Sequence, residues 1–305
     1  MRKLIIGCGY VGLTVAQEWV KQGHQVSALT RSENNAEKFL SAGIQPVLGD
    51  ITQPESLESL PESDTVLYAV GFDRSSDKSR HEIYVTGLES ALKVLKQRTQ
   101  KVIYLSSTSV YGQTAGEWVD ESSVCEPERE NGQVCLEAEQ LFDQHGFLST
   151  SSTQSAAARA VILRLAGIYG PGRLLARMEQ IRAGEPLAGH PDAWLNLIHL
   201  ADIVQTVLKI DTNIHLYDRY LVSDSRPITR WEYYETLARL LKAPEPRFES
   251  TVPGEISRKS TRFNSTERAA GLNKRCNNKR LREELGVSLT FPTIAEGLPD
   301  AIENG

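Results

Sequence analysis

The clearest chemical signature in the chain is a group of three glycines near its start, in the stretch GCGYVG at residues 7–12. An apolar run typical of a buried strand precedes it, and helical spacing follows. Gly7 would permit a tight turn, Gly9 would let a pyrophosphate approach the backbone, and Gly12 would let the helix pack on the strand. The amides of Tyr10 and Val11 would then offer a phosphate the positive end of the helix. This context favours a dinucleotide site over a glycine turn without a ligand.

The end of the second predicted strand indicates which dinucleotide would bind. Dinucleotide folds that select NAD commonly place an acid there, which binds the ribose 2′-hydroxyl. This chain has Arg31 and Ser32 at that point, and no carboxylate until Glu33. Because a planar guanidinium suits a 2′-phosphate, the sequence favours NADP. NAD remains the alternative, since Arg31 could be an ordinary solvated side chain.

Two more strand ends complete the predicted cofactor site. The sequence GDI places Asp50 and Ile51 at the end of the third predicted strand, where Asp50 could reach the adenine amino group. Ala69 and Gly71 follow the fourth strand and are small where a cofactor would lie close. Ligands of open α/β sheets bind at the carboxyl ends of the strands, so we expect these four residues to line one site.

A parallel sheet is needed to bring these residues together, and the apolar pattern predicts one. Predicted strands cover residues 3–6, 26–30, 47–48, 65–69, 102–105 and 160–165. Helical patterns lie between several of them, at residues 11–20 and in a longer stretch that ends near Leu95. Alternating helices and near-continuous apolar strands are typical of a parallel sheet covered on both faces. We therefore predict an α/β protein, with a Rossmann-type doubly wound parallel sheet over residues 1–170.

The pattern changes after about residue 170, where helical spacing dominates. The predicted elements are helices at residues 174–182, 201–210, 230–242 and 278–286, and an inserted strand at 220–222. Thr229 and Glu232 have the spacing of a capping box before the third of these helices, and Gly286 would end the last. We predict that residues 171–305 form a smaller, mostly helical substrate lobe, from which the chain can return to the sheet.

Composition excludes some classes of partner. The 305 residues carry a net charge of −5, which gives no reason to expect nucleic acid or an anionic membrane surface. No apolar stretch approaches the ~20 residues that span a bilayer. Four scattered cysteines, without a CxxC pair or a histidine cluster, predict a reduced, cytoplasmic protein with no metal site. The biased stretch at residues 149–158 is predicted to be an exposed loop.

Five stretches in this order, GCGYVG, GDI, YLSSTSVYG, RLAGIYGPGR and NLIHLAD, resemble the extended short-chain dehydrogenase/reductase superfamily. The resemblance is to its NAD-dependent epimerase/dehydratase group, which includes nucleotide-sugar epimerases. It covers residues 4 to about 210, and the later stretches look like an atypical branch. It implies a nicotinamide cofactor and a small-molecule substrate with a reacting carbonyl or hydroxyl, which a nucleotide sugar would offer.

The resemblance also implies catalytic residues, and here the chain departs from the family. A Ser or Thr four residues before the Tyr of the VYG motif holds the reacting oxygen in the family, which identifies Ser107 by counting back from Tyr111. A Tyr-x-x-x-Lys pair at the start of a helix then moves the proton and holds the ribose. On that register Asn131 stands in the Tyr place and Cys135 in the Lys place. An amide has no useful acidity, and a neutral thiol cannot replace a cation.

Another tyrosine could donate the proton instead. Tyr111 near the strand end is the first candidate, Tyr84 on the long helix, where the family commonly has Asn, is the second, and Tyr169 is the third. Packing or a structural hydrogen bond is the alternative for each of them. Cys135 is expected to be an inert buried thiol rather than a nucleophile.

The resemblance implies further roles in the second lobe. His199 and Asp202 belong to a motif that mainly anchors this lobe, and Asn196 just before it could line the substrate cavity. Three arginines after GIYGPG could contact the phosphates of a sugar nucleotide or could be helix-surface charges. They are Arg173, Arg177 and Arg182.

The sequence leaves three functions open. The first is an NADP-dependent reductase, epimerase or dehydratase with a rearranged proton donor, in which Ser107 and Tyr111 act. The second is an NADP-binding sensor that has lost catalysis, as the Asn131 and Cys135 pair suggests. The third is a subunit of an assembly, such as a homodimer that pairs through helices at residues 80–97 and 133–144.

Overall fold

The computed structural model describes residues 1–73, 76–148, 159–173, 175–214, 216–249 and 272–305. The loop predicted at residues 149–158, and residue 174 of the helix predicted at 174–182, lie outside this part of the chain.

The strands described there alternate with helices through the first half of the chain. In chain order they are β1 (Arg2–Ile6), β2 (Gln25–Thr30), β3 (Gln45–Leu48), β4 (Ser63–Tyr68), β5 (Thr99–Ser107), β6 (Glu117–Val119), β7 (Arg159–Leu165), β8 (Gly167–Tyr169), β9 (Trp194–Leu195), β10 (Leu197–His199), β11 (Arg219–Val222), β12 (Ile228–Thr229) and β13 (Lys274–Cys276). The α-helices are α1 (Tyr10–Lys21), α2 (Glu33–Ser41), α3 (Gly87–Leu95), α4 (Glu130–Gln144), α5 (Leu175–Arg182), α6 (Leu200–Thr212), α7 (Arg230–Leu241) and α8 (Ile294–Glu303). Two π-helical turns cover Glu82–Thr86 and Arg280–Glu284.

Seven strands form one parallel sheet in the order β11-β7-β5-β4-β1-β2-β3. Chain order reverses between β1 and β4, which is the switch point where ligands of such sheets bind. This architecture confirms the predicted Rossmann-type doubly wound α/β fold.

Alternation of side chains along β1 shows how both faces of the sheet are covered. Ile5 packs in a buried cluster with Trp19 of α1, whereas Leu4 and Ile6 point the other way into a cluster with Leu88 of α3. All five side chains are fully buried. Each such side chain contributes roughly 1.5–3 kcal/mol by leaving water, so β1 is held firmly beneath the glycine turn that follows it.

The second half of the chain also contributes a strand to the large sheet. β11 pairs with β7 in parallel at the edge of the large sheet, so the strand predicted at residues 220–222 is where the chain returns to it. Three small two-stranded sheets pair β8 with β10, β9 with β12 and β6 with β13. The boundary at residue 170 stays a prediction.

Several elements differ from the sequence prediction. The helices α2 and α8 and the strand β6 were not predicted, and the helix that ends at Leu95 begins with the π turn Glu82–Thr86. The capping box is present, because Thr229 and Glu232 exchange hydrogen bonds at the start of α7. The short helix predicted at residues 278–286 is a π turn, and Gly286 follows it with a φ of 71°.

Candidate functional site

A large cleft lies at the carboxyl ends of the central strands and has a volume of about 1960 Å³. Ligand pockets commonly measure about 300–1,000 Å³, so this cleft has room for a dinucleotide together with a second small molecule. Most of the residues predicted from the sequence line it. They are Gly7, Gly9, Tyr10, Val11, Arg31, Ser32, Asp50, Ile51, Ala69, Gly71 and Ser107.

The glycine turn has the shape of a cradle for a phosphate. Gly7 has a φ of 96°, and a Cβ there would overlap the backbone of Ala69, just after the neighbouring strand β4. A Cβ on Gly12 would overlap the Gly7 carbonyl, so Gly12 allows α1 to pack on the turn although it does not line the cleft. At Gly9 a Cβ would meet nothing within 4 Å, so the backbone that starts α1 is open to the cleft. The first amides of a helix lack partners within it, and these residues therefore fit a pyrophosphate.

The other end of the cofactor site is built by the ends of β2 and β3. Arg31 is half-exposed, and its Nη1 lies 4.0 Å from Oδ2 of Asp50. The other oxygen of Asp50 accepts hydrogen bonds from the amide and hydroxyl of Thr52. The Ser32 hydroxyl accepts a hydrogen bond from Asn35 and so caps α2. A cation beside a helix N-terminus makes this corner attractive to an anion.

Ser107 ends β5 and faces the cleft. Its Oγ accepts a hydrogen bond from the Ser109 amide at 3.1 Å and so caps a short turn over residues 108–110. The hydroxyl keeps its own proton for donation, which is what binding a substrate oxygen requires.

The start of α4 packs closely on this turn and carries the two residues that depart from the family. A Cβ on Gly132 would overlap the Ser109 carbonyl, so the glycine permits the close approach. Asn131 and Cys135 both line the cleft, and Arg80 donates a hydrogen bond to Oδ1 of Asn131 at 3.4 Å. Burial raises the pKa of the Cys135 thiol. The thiol is therefore neutral near neutral pH and supplies no charge.

The three candidate tyrosines lie in different places. Tyr111 is fully buried, does not line the cleft, and accepts a hydrogen bond from Nη1 of Arg164 at 3.0 Å. Burial also raises its pKa. Tyr169 is buried against Gly297 of α8 and does not line the cleft either. Tyr84 does line it, on the π turn that faces α4. Tyr111 therefore does not face the cleft, as its predicted role as proton donor would require, whereas Tyr84 does.

Behind Ser107, a buried ion pair holds α4 to the sheet. Glu139 accepts three hydrogen bonds from the Arg164 guanidinium, of which the shortest is 2.7 Å, and one from Ser106 at 2.6 Å. Arg164 also bonds Tyr111, which explains why that tyrosine turns away from the cleft. Buried ion pairs require this degree of hydrogen bonding to offset their desolvation.

The cleft is also lined by cations that sequence patterns did not reveal, among them Arg129, Arg230 and Lys274. The Nε of Arg230 is buried without a hydrogen-bond partner among the described residues. Lys274 is 6% exposed, donates to the Tyr111 carbonyl at 3.1 Å, and has its pKa lowered by burial. Lys274 reaches the cleft because β13 pairs with the distant strand β6, which no local pattern could indicate.

The three arginines after GIYGPG lie in different places. Arg173 lines the cleft, and its guanidinium carbon lies 5.1 Å from the ring centroid of Tyr10. Arg177 and Arg182 are exposed on α5 and do not line the cleft.

Residues of the NLIHLAD stretch contact other segments of the chain and hold them in place. Asn196 lines the cleft, but its amide donates to the Lys274 carbonyl and accepts from the Cys276 amide, so it positions β13. Asp202 is fully buried and accepts hydrogen bonds from the amides of Thr290 and Phe291. His199 Nε2 lies 3.1 Å from Asp300 of α8.

Within the described ranges, no group of three or more His, Cys, Asp or Glu side chains is arranged to hold a metal ion. The cysteines at positions 8, 125, 135 and 276 are free thiols. No helix in the described part of the chain is long and apolar enough to span a bilayer.

Comparison with known proteins places these features in a family. The model of the NAD-dependent epimerase/dehydratase family matches residues 4–222. Protein YeeZ of Escherichia coli K12 is 27% identical over 308 residues, which cover 96% of this chain and 97% of YeeZ.

Two solved structures illustrate the structural similarity. A Methylobacillus flagellatus protein assigned as an NAD-dependent epimerase/dehydratase is 28% identical with a TM-score of 0.74, covering 99% of this chain and 97% of that one. A variant of UDP-glucuronic acid 4-epimerase from Bacillus cereus, in complex with UDP-4-deoxy-4-fluoro-glucuronic acid and NAD, is 17% identical. Its TM-score is 0.75, with 100% of this chain and 98% of that one covered, which shows a shared fold.

Proposed function

Because this chain belongs to the NAD-dependent epimerase/dehydratase family, we propose that it is an NADP-dependent enzyme acting on a small carbonyl or hydroxyl substrate. The reaction would be a reduction, an epimerisation or a dehydration, each of which begins with hydride and proton movement at one carbon. The observation that carries the proposal is the position of Ser107 in the same cleft as the open glycine turn.

The residues of the cleft would divide the work. When bound, the nicotinamide would give or take a hydride. The amides after Gly9 would hold the pyrophosphate, and the Ser107 hydroxyl would donate a hydrogen bond to the reacting oxygen of the substrate. That bond polarises a carbonyl most strongly as negative charge develops on its oxygen, which lowers the barrier to hydride addition.

The choice of NADP depends on Arg31. Its half-exposed guanidinium lies at the end of β2, beside the N-terminus of α2. An acid that would bind the 2′-hydroxyl and repel a 2′-phosphate is missing at this strand end. The NAD bound to the Bacillus cereus structure is the alternative cofactor.

For the substrate we propose an anionic molecule, with a nucleotide sugar as the first choice. Arg230 and Lys274 place positive charge at the far end of the cleft, and the buried Nε of Arg230 needs an acceptor. An unsatisfied buried donor costs about 1–3 kcal/mol, which a phosphate or carboxylate oxygen would recover. The UDP-sugar in the Bacillus cereus structure supports the nucleotide form of this anion.

The proposal can be tested on protein stripped of cofactor. Calorimetry should show NADPH binding, and a panel of UDP-sugars and small carbonyl compounds should reveal turnover of the nicotinamide. Ser107→Ala should lower kcat while leaving NADPH affinity within about twofold, because the hydroxyl acts on the substrate. Turnover unaffected by Ser107→Ala would show that the reaction occurs elsewhere.

A second candidate function is an NADP-binding sensor without catalysis, which the cleft-lining Asn131 and Cys135 favour. The double variant Asn131→Tyr with Cys135→Lys restores the residue types of the family. Turnover that appears only in this variant would support the sensor. Turnover by the natural chain would exclude it.

We also propose a cytoplasmic homodimer. Free thiols suit a reducing compartment, and α3 and α4 are the helices through which two copies would pair. Sedimentation at micromolar concentration should give the mass of a dimer, and a monomer would contradict the pairing.

A further inference from the structure

Two residues of the helical segment that leads into α3 face the place where the family's proton donor and cation are missing. The chain is helical from residue 80, and Arg80 and Tyr84 lie four residues apart, about one turn. Both line the cleft. Arg80 donates to Asn131, and its guanidinium carbon lies 4.1 Å from the Phe72 ring centroid. The arginine is thus held in position by a hydrogen bond and a stacked ring.

The tyrosine is held from the same side. Its ring packs against Phe72 with centroids 6.4 Å apart, and a backbone hydrogen bond from Phe72 reaches its oxygen. Cys135 of α4 is an electrostatic neighbour of Tyr84. π turns inside helices are frequent at functional sites, and this one turns Tyr84 toward the start of α4.

We propose that Tyr84 is the proton donor of this enzyme and that Arg80 supplies the positive charge normally provided by the lysine of Tyr-x-x-x-Lys. The inference rests on the function proposed above. It assigns the pair to the helix that faces α4 instead of to α4 itself, where Asn131 and Cys135 stand.

In a reduction by this pair, a hydride and a proton would reach the two atoms of the substrate carbonyl. The carbonyl carbon of the substrate accepts a hydride from NADPH, which becomes NADP⁺. The carbonyl oxygen, held by Ser107, accepts the Tyr84 hydroxyl proton and becomes an alcohol. The phenolate left on Tyr84 is stabilised by the adjacent Arg80 charge and regains a proton from water.

The surroundings of Tyr84 support a role for Arg80. Burial raises the pKa of Tyr84, and the Arg80 charge lowers it. Its other ionisable neighbours are Cys135 on α4, Tyr68 on β4 and Tyr104 on β5, whose own pKa values are raised by burial. These three are uncharged near neutral pH, so the positive charge of Arg80 is not cancelled by them.

The experiment compares Tyr84→Phe, Arg80→Gln and Arg80→Lys with Tyr111→Phe, which removes a buried hydroxyl outside the cleft. We expect Tyr84→Phe to lower kcat about 10²- to 10⁴-fold, the usual contribution of acid–base catalysis. NADPH affinity should stay within about twofold, and Tyr111→Phe should keep its turnover. The second readout needs no substrate. In protein labelled with ¹³C at the tyrosine ζ carbon, Arg80→Gln should raise the pKa of the Tyr84 resonance, and Arg80→Lys should restore it.

The outcomes separate this inference from the function on which it rests. Failure to bind NADPH would refute the proposed function. Turnover in the wild type that Tyr84→Phe retains would overturn the pair and leave the function intact. A Tyr84 titration that Arg80→Gln does not move would also overturn the pair. Binding of NADPH without turnover of any compound in the panel would refute both.

Discussion

In the proposed function, Arg31 would select between two cofactors that differ by one phosphate. A hydrogen bond to a charged group contributes about 1.5–3 kcal/mol, so Arg31→Ala should weaken NADPH binding roughly 10- to 100-fold. NADH binding should stay nearly constant, because NADH lacks the 2′-phosphate. Calorimetry with NADPH and NADH on the wild type and the variant measures the ratio of the two affinities. Arg31→Lys is the matched control, and its NADPH affinity should lie between those of the wild type and Arg31→Ala. A lysine keeps the charge but loses the planar fork.

An equal loss for the two dinucleotides would mean that Arg31 supports the fold of this corner, through its contact with Asp50, and does not select the phosphate.

The buried carboxyl of Asp224 should make stability depend on pH. Asp224 is 1% exposed, and burial raises its pKa from 3.8 to about 8, with Asp202 and Glu296 adding to the rise. Between pH 4 and 8 the folded protein therefore binds a proton that the unfolded chain has released. This contribution is complete below pH 4 and is lost as the pH rises toward 8, by up to about 1.4 kcal/mol per pH unit.

Asp224→Asn tests this dependence, because the amide keeps the shape and stays neutral. The free energy of unfolding of the variant, minus that of the wild type, should rise between pH 4 and 8 in urea titrations. A difference that does not change with pH would place the pKa of Asp224 near its ordinary value.

At the scale of elements, the N-terminal end of β1, a central strand, is joined to α6 by a buried ion pair. Lys3 on β1 lies 2.6 and 2.7 Å from the two oxygens of Asp211, and Thr65 on β4 donates to the same carboxylate. Lys3→Met would leave the Asp211 charge buried without its partner and should cost about 3–5 kcal/mol of unfolding free energy. The neighbouring Arg2→Met is the control, since the Arg2 pair with Glu62 is exposed and should contribute less than about 1 kcal/mol.

Urea unfolding of the two variants gives the comparison directly. Equal losses would show that the Lys3 pair is no more valuable than a surface contact.

Elements with a strong local pattern could be predicted from the sequence, and those that depend on distant contacts could not. The order of β1, glycine turn and α1 is encoded within twenty residues, and the structure has it in that place. In α2, by contrast, Phe39 is the buried residue, so the helix lacks the broad apolar stripe that a pattern search detects. The helix α8 contains Pro299, and a proline within a segment argues against a helix, so α8 was not predicted either.

The same distinction explains the candidate site. The cofactor residues follow strands and could be placed by counting. Tyr111 also follows a strand, but its direction depends on Arg164, which belongs to another strand and is held by Glu139 of α4. Lys274 enters the cleft through pairing between β6 and β13. No periodicity within a short window carries information of that kind.

At the scale of the whole molecule, the C-terminal segment is tied to α6, one of the helices that pack on the large sheet. Asp202 at the start of α6 accepts the Thr290 amide at 2.6 Å and the Phe291 amide at 3.1 Å, just before α8 begins. The helix α8 then buries Ile294 and Leu298 in the core of the second lobe. The Asp202 side chain of α6 thus holds the segment that leads into α8.

Asp202→Ala should therefore loosen α8 without disturbing the cofactor site. Removing a charged acceptor from two amides should cost about 3 kcal/mol, and residues 290–303 should exchange their amide hydrogens faster in mass spectrometry. NADPH affinity should stay within about twofold, because the glycine turn is held by β1 and β4. Asp300→Ala is the matched control, because the Asp300 carboxylate is partly exposed beside His199. Its removal should change the amide hydrogen exchange of residues 290–303 much less. If residues 290–303 keep their protection in Asp202→Ala, packing of Ile294 and Leu298 is enough to hold α8 in place.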